Sequence, residues 1–183
     1  MREKEIFIEA NQMFESYFAL VKDGQWDTIV PSASDWTVRK LVDHVIENNL
    51  ATAAILNGET PSESENTDQD SDVAWSESAQ VAESAASSVK NGSDTVEGPL
   101  GPISKQSFLR LMTIDRTVHS WDLAKAIGAD TILNREVATA AYEWAPHFAP
   151  RLFDAGEFGE PLAVAGDATA QERLLAMTGR EPS

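Results

Sequence analysis

The sequence predicts an all-α fold, a bundle of four helices with a small C-terminal extension made of a short strand-like segment and a terminal helix. Three observations lead there. Apolar residues recur at spacings of three and four through four long stretches, the period of a helix with one buried face. Helix start and stop residues punctuate those stretches, among them Gly58, Ser104 and Gly128. Strand-like patterning is nearly absent outside a PLAVAG run, and helices without a sheet bury their apolar faces on one another.

From Glu3 to about Val21, the residues Ile6, Phe7, Ala10, Met13, Phe14, Tyr17, Phe18 and Val21 keep the helical period, and Lys22-Asp23-Gly24 supplies a stop. A connector with Trp26 and Pro31 follows. Ser34 or Asp35 is placed to cap the second helix, WTVRKLVDHVIENNLATAAILNG, which ends at Gly58. The polar, acidic ETPSESENTDQDSD stretch has little to bury and reads as a mobile loop without chemistry. A third helix, rich in Ala and Ser, is expected from about Val73 to Val89 and is closed by Asn91-Gly92.

VEGPLGPIS, with two Gly and two Pro, reads as a connector. Ser104 then begins the strongest helical pattern, KQSFLRLMTIDRTVHSWDLAKAIG, ended by Gly128. A further helix is expected from about Asn134 to Ala145, with a kink if it passes Pro146. PLAVAG is the β-prone piece, and Thr169 with Glu172 has capping-box spacing for a last helix, AQERLLAMTG. One domain over residues 1–183 is expected, with residues 1–130 as the bundle and residues 131–183 as helices packed on it.

Fourteen Lys and Arg against thirty Asp and Glu give a formal charge of -16. Such a chain repels phosphate backbones and anionic lipid surfaces, which argues against nucleic-acid and membrane partners. No apolar run approaches the length of a membrane span, and the N-terminal MREKEIFIEANQMF alternates charge with apolar residues unlike a signal segment. A cytoplasmic protein is expected. With no cysteine, a metal site must use His, Asp or Glu, and any thiol chemistry needs a thiol from outside.

On the strongest helix, Phe108, Leu111, Met112, Leu123 and Ala126 define an apolar stripe, with Asp115 and His119 near its centre line. Four residues apart, the two side chains sit one turn apart on one face and can converge on one ion. Asp122 shares that face. An ordinary buried His–Asp pair satisfies the same pattern, so a third ligand from another helix is the discriminating feature. Of the two other histidines, His44 lies on the flank of the second helix's inner face, near Thr37 and Asn48, where periodicity permits a ligand without requiring one. His147, beside Pro146, reads as a surface or capping group.

Three blocks carry a family resemblance. WTVRKLVDHVIENNLATAAILNGE, with its W-T-V-R-x-L-V-x-H-V pattern, resembles the second-helix signature of the DinB-like, mycothiol-dependent maleylpyruvate isomerase N-terminal domain superfamily. IDRTVHSWDLAKAIGA is similar to its D/E-x-x-x-H-x-W-D-L-A-x-A-x-G motif, and FGEPLAVAGDATAQERLLAMTGREP resembles the C-terminal end of an actinobacterial branch described mostly as metal-binding. The resemblance implies a metal triad at His44, Asp115 and His119. Some members, the isomerase included, carry Glu where this chain has Asp115, so the carboxylate here reaches less far.

Two imidazoles and a carboxylate suit Zn²⁺, with Ni²⁺ or Fe²⁺ as substitutes, and three protein ligands leave positions open, as in catalytic sites. The resemblance further implies a low-molecular-weight thiol such as mycothiol, held by the metal, that adds to an electrophilic small-molecule substrate in isomerisation or S-transfer. Asn48 and Asp122 are candidates to orient the ligands from behind, or to serve as interhelical hydrogen-bonding groups. Arg39, Arg116 and Arg151 are candidate basic groups for an anionic substrate, against a surface role for each. Trp36 and Trp121 are read as packing. A non-catalytic metal sensor or stress protein and a metal-free interaction module are the competing readings, and a homodimer is compatible with a bundle.

Overall fold

A computed structural model describes residues 2–62, 70–90, 94–156 and 158–182. Helix α1 (Arg2–Phe18) buries Ile6, Ala10, Phe14 and Phe18 along one side. It ends three residues before the expected Val21, because the Leu20 and Val21 amides bond back to the Tyr17 and Phe18 carbonyls in a tightened last turn. Strands β1 (Ile29–Val30) and β2 (Ala33–Thr37) form an antiparallel hairpin with an irregular register, Ile29 opposite Thr37 and Val30 opposite Ala33.

That hairpin moves the start of helix α2 (Val38–Asn57) beyond the expected cap at Ser34 or Asp35. Residues 33–37 are extended in β2, so Thr37 is the cap, its hydroxyl accepting from the Lys40 amide at 3.3 Å. Gly58 ends α2 in the left-handed conformation, φ 79°. Helix α3 (Ser71–Ser88) begins two residues before the expected Val73, capped by the Asp70 carboxylate on the Asp72 amide at 2.9 Å. The central part of the acidic loop, 63–69, and the Asn91-Gly92 stop lie outside the described residues.

The expected connector before the fourth helix is a second antiparallel hairpin, β3 (Thr95–Gly98) and β4 (Gly101–Ser104), with Val96 opposite Ile103. Pro99 and Leu100 form its two-residue turn, and Gly101 takes φ +91° beyond it. Four-residue strands are too short to show the alternation that marks a strand in sequence. Helix α4 (Lys105–Ile127) is capped as expected by Ser104, whose hydroxyl accepts from the Ser107 amide at 3.1 Å, and ends at Gly128.

Helix α5 (Arg135–Trp144) is capped by Asn134. At Pro146 the chain turns through a short 3-10 segment into helix α6 (Ala149–Asp154). The PLAVAG piece joins no sheet; its Leu162 amide donates to the Ala176 carbonyl at 2.9 Å instead. Helix α7 (Ala170–Met177) carries the expected capping box, with the Thr169 amide donating to Glu172 Oε2 at 2.6 Å and the Glu172 amide to Thr169 Oγ1 at 3.2 Å.

The result is the mostly helical, DinB-like bundle with a C-terminal extension, accompanied by two small hairpins. α4 packs on α1 and α2, α5 packs on α1 and α4, and α7 packs on α5. Leu41, Val45, Ile114 and Val118 share one buried cluster with Phe14 of α1 and with Leu174 and Leu175 of α7. A second cluster joins Phe7, Leu56, Ala82 and Phe108 under Val96 of the second hairpin. Among the described residues, no helix is long and apolar enough to cross a membrane.

Candidate metal centre

Each hairpin feeds one of the two helices that carry the site. Because Thr37 caps α2 and Ser104 caps α4, the phase of each helix is set at its first residue. His44 then faces Asp115 and His119 across the α2–α4 seam. One donor atom from each of His44, Asp115 and His119 lies within 4.8 Å of the others. The His44 and His119 rings meet edge-on with centroids 5.1 Å apart.

Neighbouring groups fix each donor. His119 offers Nε2 to Asp115 Oδ1 at 3.4 Å, while its Nδ1 lies 3.1 Å from Asp122 Oδ2. A carboxylate on the far nitrogen of a ligand histidine fixes the ring's orientation and raises its basicity. Asn48 Nδ2 stands 3.1 Å from His44 Nε2 and donates to Asp115 Oδ2 at 3.2 Å. The Asn48 amide thus bridges His44 and Asp115, and with His119 the three side chains bring two imidazoles and a carboxylate within 4.8 Å of one another, a spacing one cation can span. The residues present fit a divalent ion.

Trp36, at the end of β2, lies edge-on to His44 at 4.8 Å and stacks over His119 at 5.9 Å. It packs against both imidazoles, so it borders the site as well as the core. Trp121 is buried elsewhere on α4, with Lys125 over its ring.

The electrostatics are lopsided. Burial holds the His44 pKa down to about 4, against the charge of Asp115, so this ring is neutral at neutral pH and no proton has to leave it for a cation to bind. Burial also opposes a charge on His119, but the Asp115 charge and hydrogen bonds to Asp115 and Asp122 outweigh it and raise the pKa to about 9. Burial pushes the Asp115 and Asp122 carboxyls up. His119 outweighs this at Asp115, and His119 with Arg180 outweighs it at Asp122, so both stay ionised.

The three donors border a cavity of about 560 Å³. Leu100, Leu111, Met112, Val118, Leu152 and Phe158 give it an apolar wall. The side chains of His119 and Asp115 keep 13% and 23% of their surface exposed, enough for a small molecule to reach them.

No contact joins the candidate basic residues Arg39 and Arg151 to the triad, and both are exposed as their surface reading has it. Arg39 is exposed and lies over Trp26 at 4.7 Å. Arg116 points into the core, fully buried, donating to Asn49 Oδ1 at 3.0 Å and to the Val45 carbonyl at 3.4 Å beneath Phe14 and Trp75. Arg151 is exposed and donates to the Leu100 carbonyl. The arginine that lines the cavity is Arg180, on Asp122. Periodicity gives no hint of it, since it follows the last helix. His147 is exposed in the 3-10 turn after α5.

A helix bundle with two histidines and a carboxylate brought together across facing helices, at the wall of a partly apolar cavity, is the arrangement of a DinB-like domain. The model of the mycothiol maleylpyruvate isomerase N-terminal domain matches residues 9–124, and the chain belongs to that family. The matched span includes His44, Asn48, Asp115, His119 and Asp122, whereas Leu152, Phe158 and Arg180 lie beyond it. Two relatives in Mycobacterium tuberculosis are "Uncharacterized protein MT0763" of strain CDC 1551 / Oshkosh and "Uncharacterized protein Rv0738" of strain ATCC 25618 / H37Rv. Each is 31% identical over 129 residues, covering 70% of this chain and 69% of the relative. No solved structure matches the chain.

Proposed function

We propose that the chain binds a divalent metal ion through His44, Asp115 and His119, Zn²⁺ first with Ni²⁺ or Fe²⁺ as substitutes. We further propose that it uses a low-molecular-weight thiol of the mycothiol type for isomerisation or S-transfer on an electrophilic small molecule. One observation carries the reading: two imidazoles and a carboxylate from different helices lie within 4.8 Å of one another beside a cavity. A divalent ion bound by three such ligands supplies Lewis acidity that lowers the pKa of a coordinated water or thiol.

The chain's own residues supply the rest. Asp122 accepts from His119 Nδ1 and so leaves Nε2 to face the site. Asn48 Nδ2 lies within hydrogen-bond distance of both His44 Nε2 and Asp115 Oδ2 and so keeps the two side chains together in the metal-free protein. The apolar wall excludes water and accommodates the body of an uncharged electrophile. Among the described residues that line the cavity the arginine is Arg180, and it already has Asp122 as its counter-ion. Family membership supports the thiol.

Titrating Co²⁺-substituted protein with thiols tests the catalytic part. Visible d–d bands are expected to shift on adding a low-molecular-weight thiol, and silent spectra with every thiol tried would exclude thiol use while leaving a metal protein.

A further inference from the structure

Arg180 reaches the site from a segment that belongs to neither ligand helix. The last turn of α7 closes with the Arg180 amide donating to the Leu175 carbonyl at 2.8 Å. Just before it, Gly179 takes a left-handed φ of +80° and lies against Gly159 so closely that a Cβ would come within 2.6 Å of the Gly159 Cα. Only glycine fits both demands. The Gly159 amide donates to the Thr178 carbonyl at 3.3 Å, so two parts of the C-terminal segment clasp where the arginine emerges.

From that clasp the Arg180 side chain runs inward and is 9% exposed as a residue. Its Nε and Nη2 fork onto the two Asp122 oxygens at 3.3 and 2.9 Å, and Nη1 donates to the Thr178 carbonyl at 2.9 Å. Asp122 is 1% exposed. Its other partners are the Ser32 hydroxyl, donating to Oδ1, and His119 Nδ1 on Oδ2. A continuous buried chain of polar contacts therefore runs from the Thr178 carbonyl through Arg180 and Asp122 to the His119 ring.

We propose that Arg180 is a positioning residue for the metal centre: its fork fixes the plane of the Asp122 carboxylate, and that carboxylate fixes the His119 ring with Nε2 toward the site. The proposal rests on the reading of His119 as a ligand. A carboxylate held by His119 and Ser32 alone could swing about its last torsion and carry the imidazole with it. A bidentate guanidinium removes that freedom, because both oxygens are met in one plane. It also supplies a second counter-charge for Asp122, so the carboxylate is not balanced by His119 alone. The family-matched segment carries the ligands, and the C-terminal extension holds one of them in place.

The test compares wild type, Arg180→Ala and Arg180→Lys by Co²⁺ affinity, Co²⁺ d–d spectrum and thermal unfolding. Arg180→Ala is expected to weaken Co²⁺ binding by about ten- to a hundredfold, the cost seen when an outer partner of a ligand histidine is lost, and to alter the d–d bands. Lysine keeps the charge and loses the fork, so it is expected to recover only part of the affinity. Arg180→Ala binding within about twofold of wild type with the same spectrum, or full recovery by lysine, would overturn the proposal. A lowered melting temperature with unchanged d–d bands marks a merely structural arginine and also overturns it.

If wild type binds no Co²⁺, the metal reading fails. The positioning claim is then read on the metal-free protein from the hydrogen-bonded Nδ1 proton of His119 at low field in the ¹H NMR spectrum. Its loss or shift in Arg180→Ala supports the contact chain, and an unchanged resonance contradicts it. Should the alanine variant not fold, the lysine variant gives the same readouts.

Discussion

His119 sits between two carboxylates, and most of the site's pH behaviour follows from that. In metal-free protein its pKa is raised to about 9 from 6.5, so its contribution to stability is fully present below 6.5 and is lost as pH rises through about 9. His44, lowered to about 4 from 6.5, acts the other way. The unfolded chain takes that proton first, so stability falls as pH drops from 6.5 toward 4. NMR titration of chelator-treated protein should find these two imidazoles titrating on opposite sides of neutrality. Because an ion must displace the His119 proton, metal affinity should climb by up to about tenfold per pH unit until pH nears the His119 pKa. Affinity flat from pH 6 to about 9 would exclude His119 as a ligand. Asp115→Asn, which keeps the shape and removes the charge, should abolish stoichiometric binding, as checked by metal analysis after dialysis.

The helix caps hold the three candidate donors in phase. Thr37→Ala or Ser104→Ala should each cost about 1 kcal/mol, read as a lowered melting temperature, while one metal per chain is retained. Helix α4 was legible in the sequence almost to the residue, since Ser104 and Gly128 mark its ends. Its faces were not. The apolar stripe suggested one buried side, yet Leu109, Ile114 and Trp121 are buried off that stripe, and Arg116, Thr117 and Ser120 are buried with them. A helix surrounded by neighbours loses the contrast between faces that periodicity detects. The hairpins were illegible for a related reason, their strands being two to five residues long with no alternation to read. Thr37 was missed as the α2 cap because β2 extends through Ser34 and Asp35. His44 was only permitted by periodicity and came into focus through its motif. Arg180 had no signal in periodicity, and although it lies in the third resemblance block nothing there marked it as a site residue.

Across the whole molecule, the cavity draws its wall from both parts of the chain. We propose that residues 131–183 fold with residues 1–130 as one unit, since Val137, Ala141, Leu174 and Leu175 share the core cluster of Ile6, Phe14 and Leu41. A fragment of residues 1–130 would expose that face and should lose cooperative unfolding in denaturant. A sharp transition with retained metal binding would show two independent units. Binding of an ion to the native state alone should also stabilise the whole fold, by about 2.7 kcal/mol at a free metal concentration a hundred times Kd. The most direct measurement is the metal content of the purified full chain and of its His119→Ala variant, each paired with the melting temperature before and after chelation. One divalent ion per wild-type chain, a lower melting temperature on removing it, and no ion in the variant is the predicted result. A wild-type chain that takes up no ion when Zn²⁺ is supplied, and melts at the same temperature with and without it, would contradict the account.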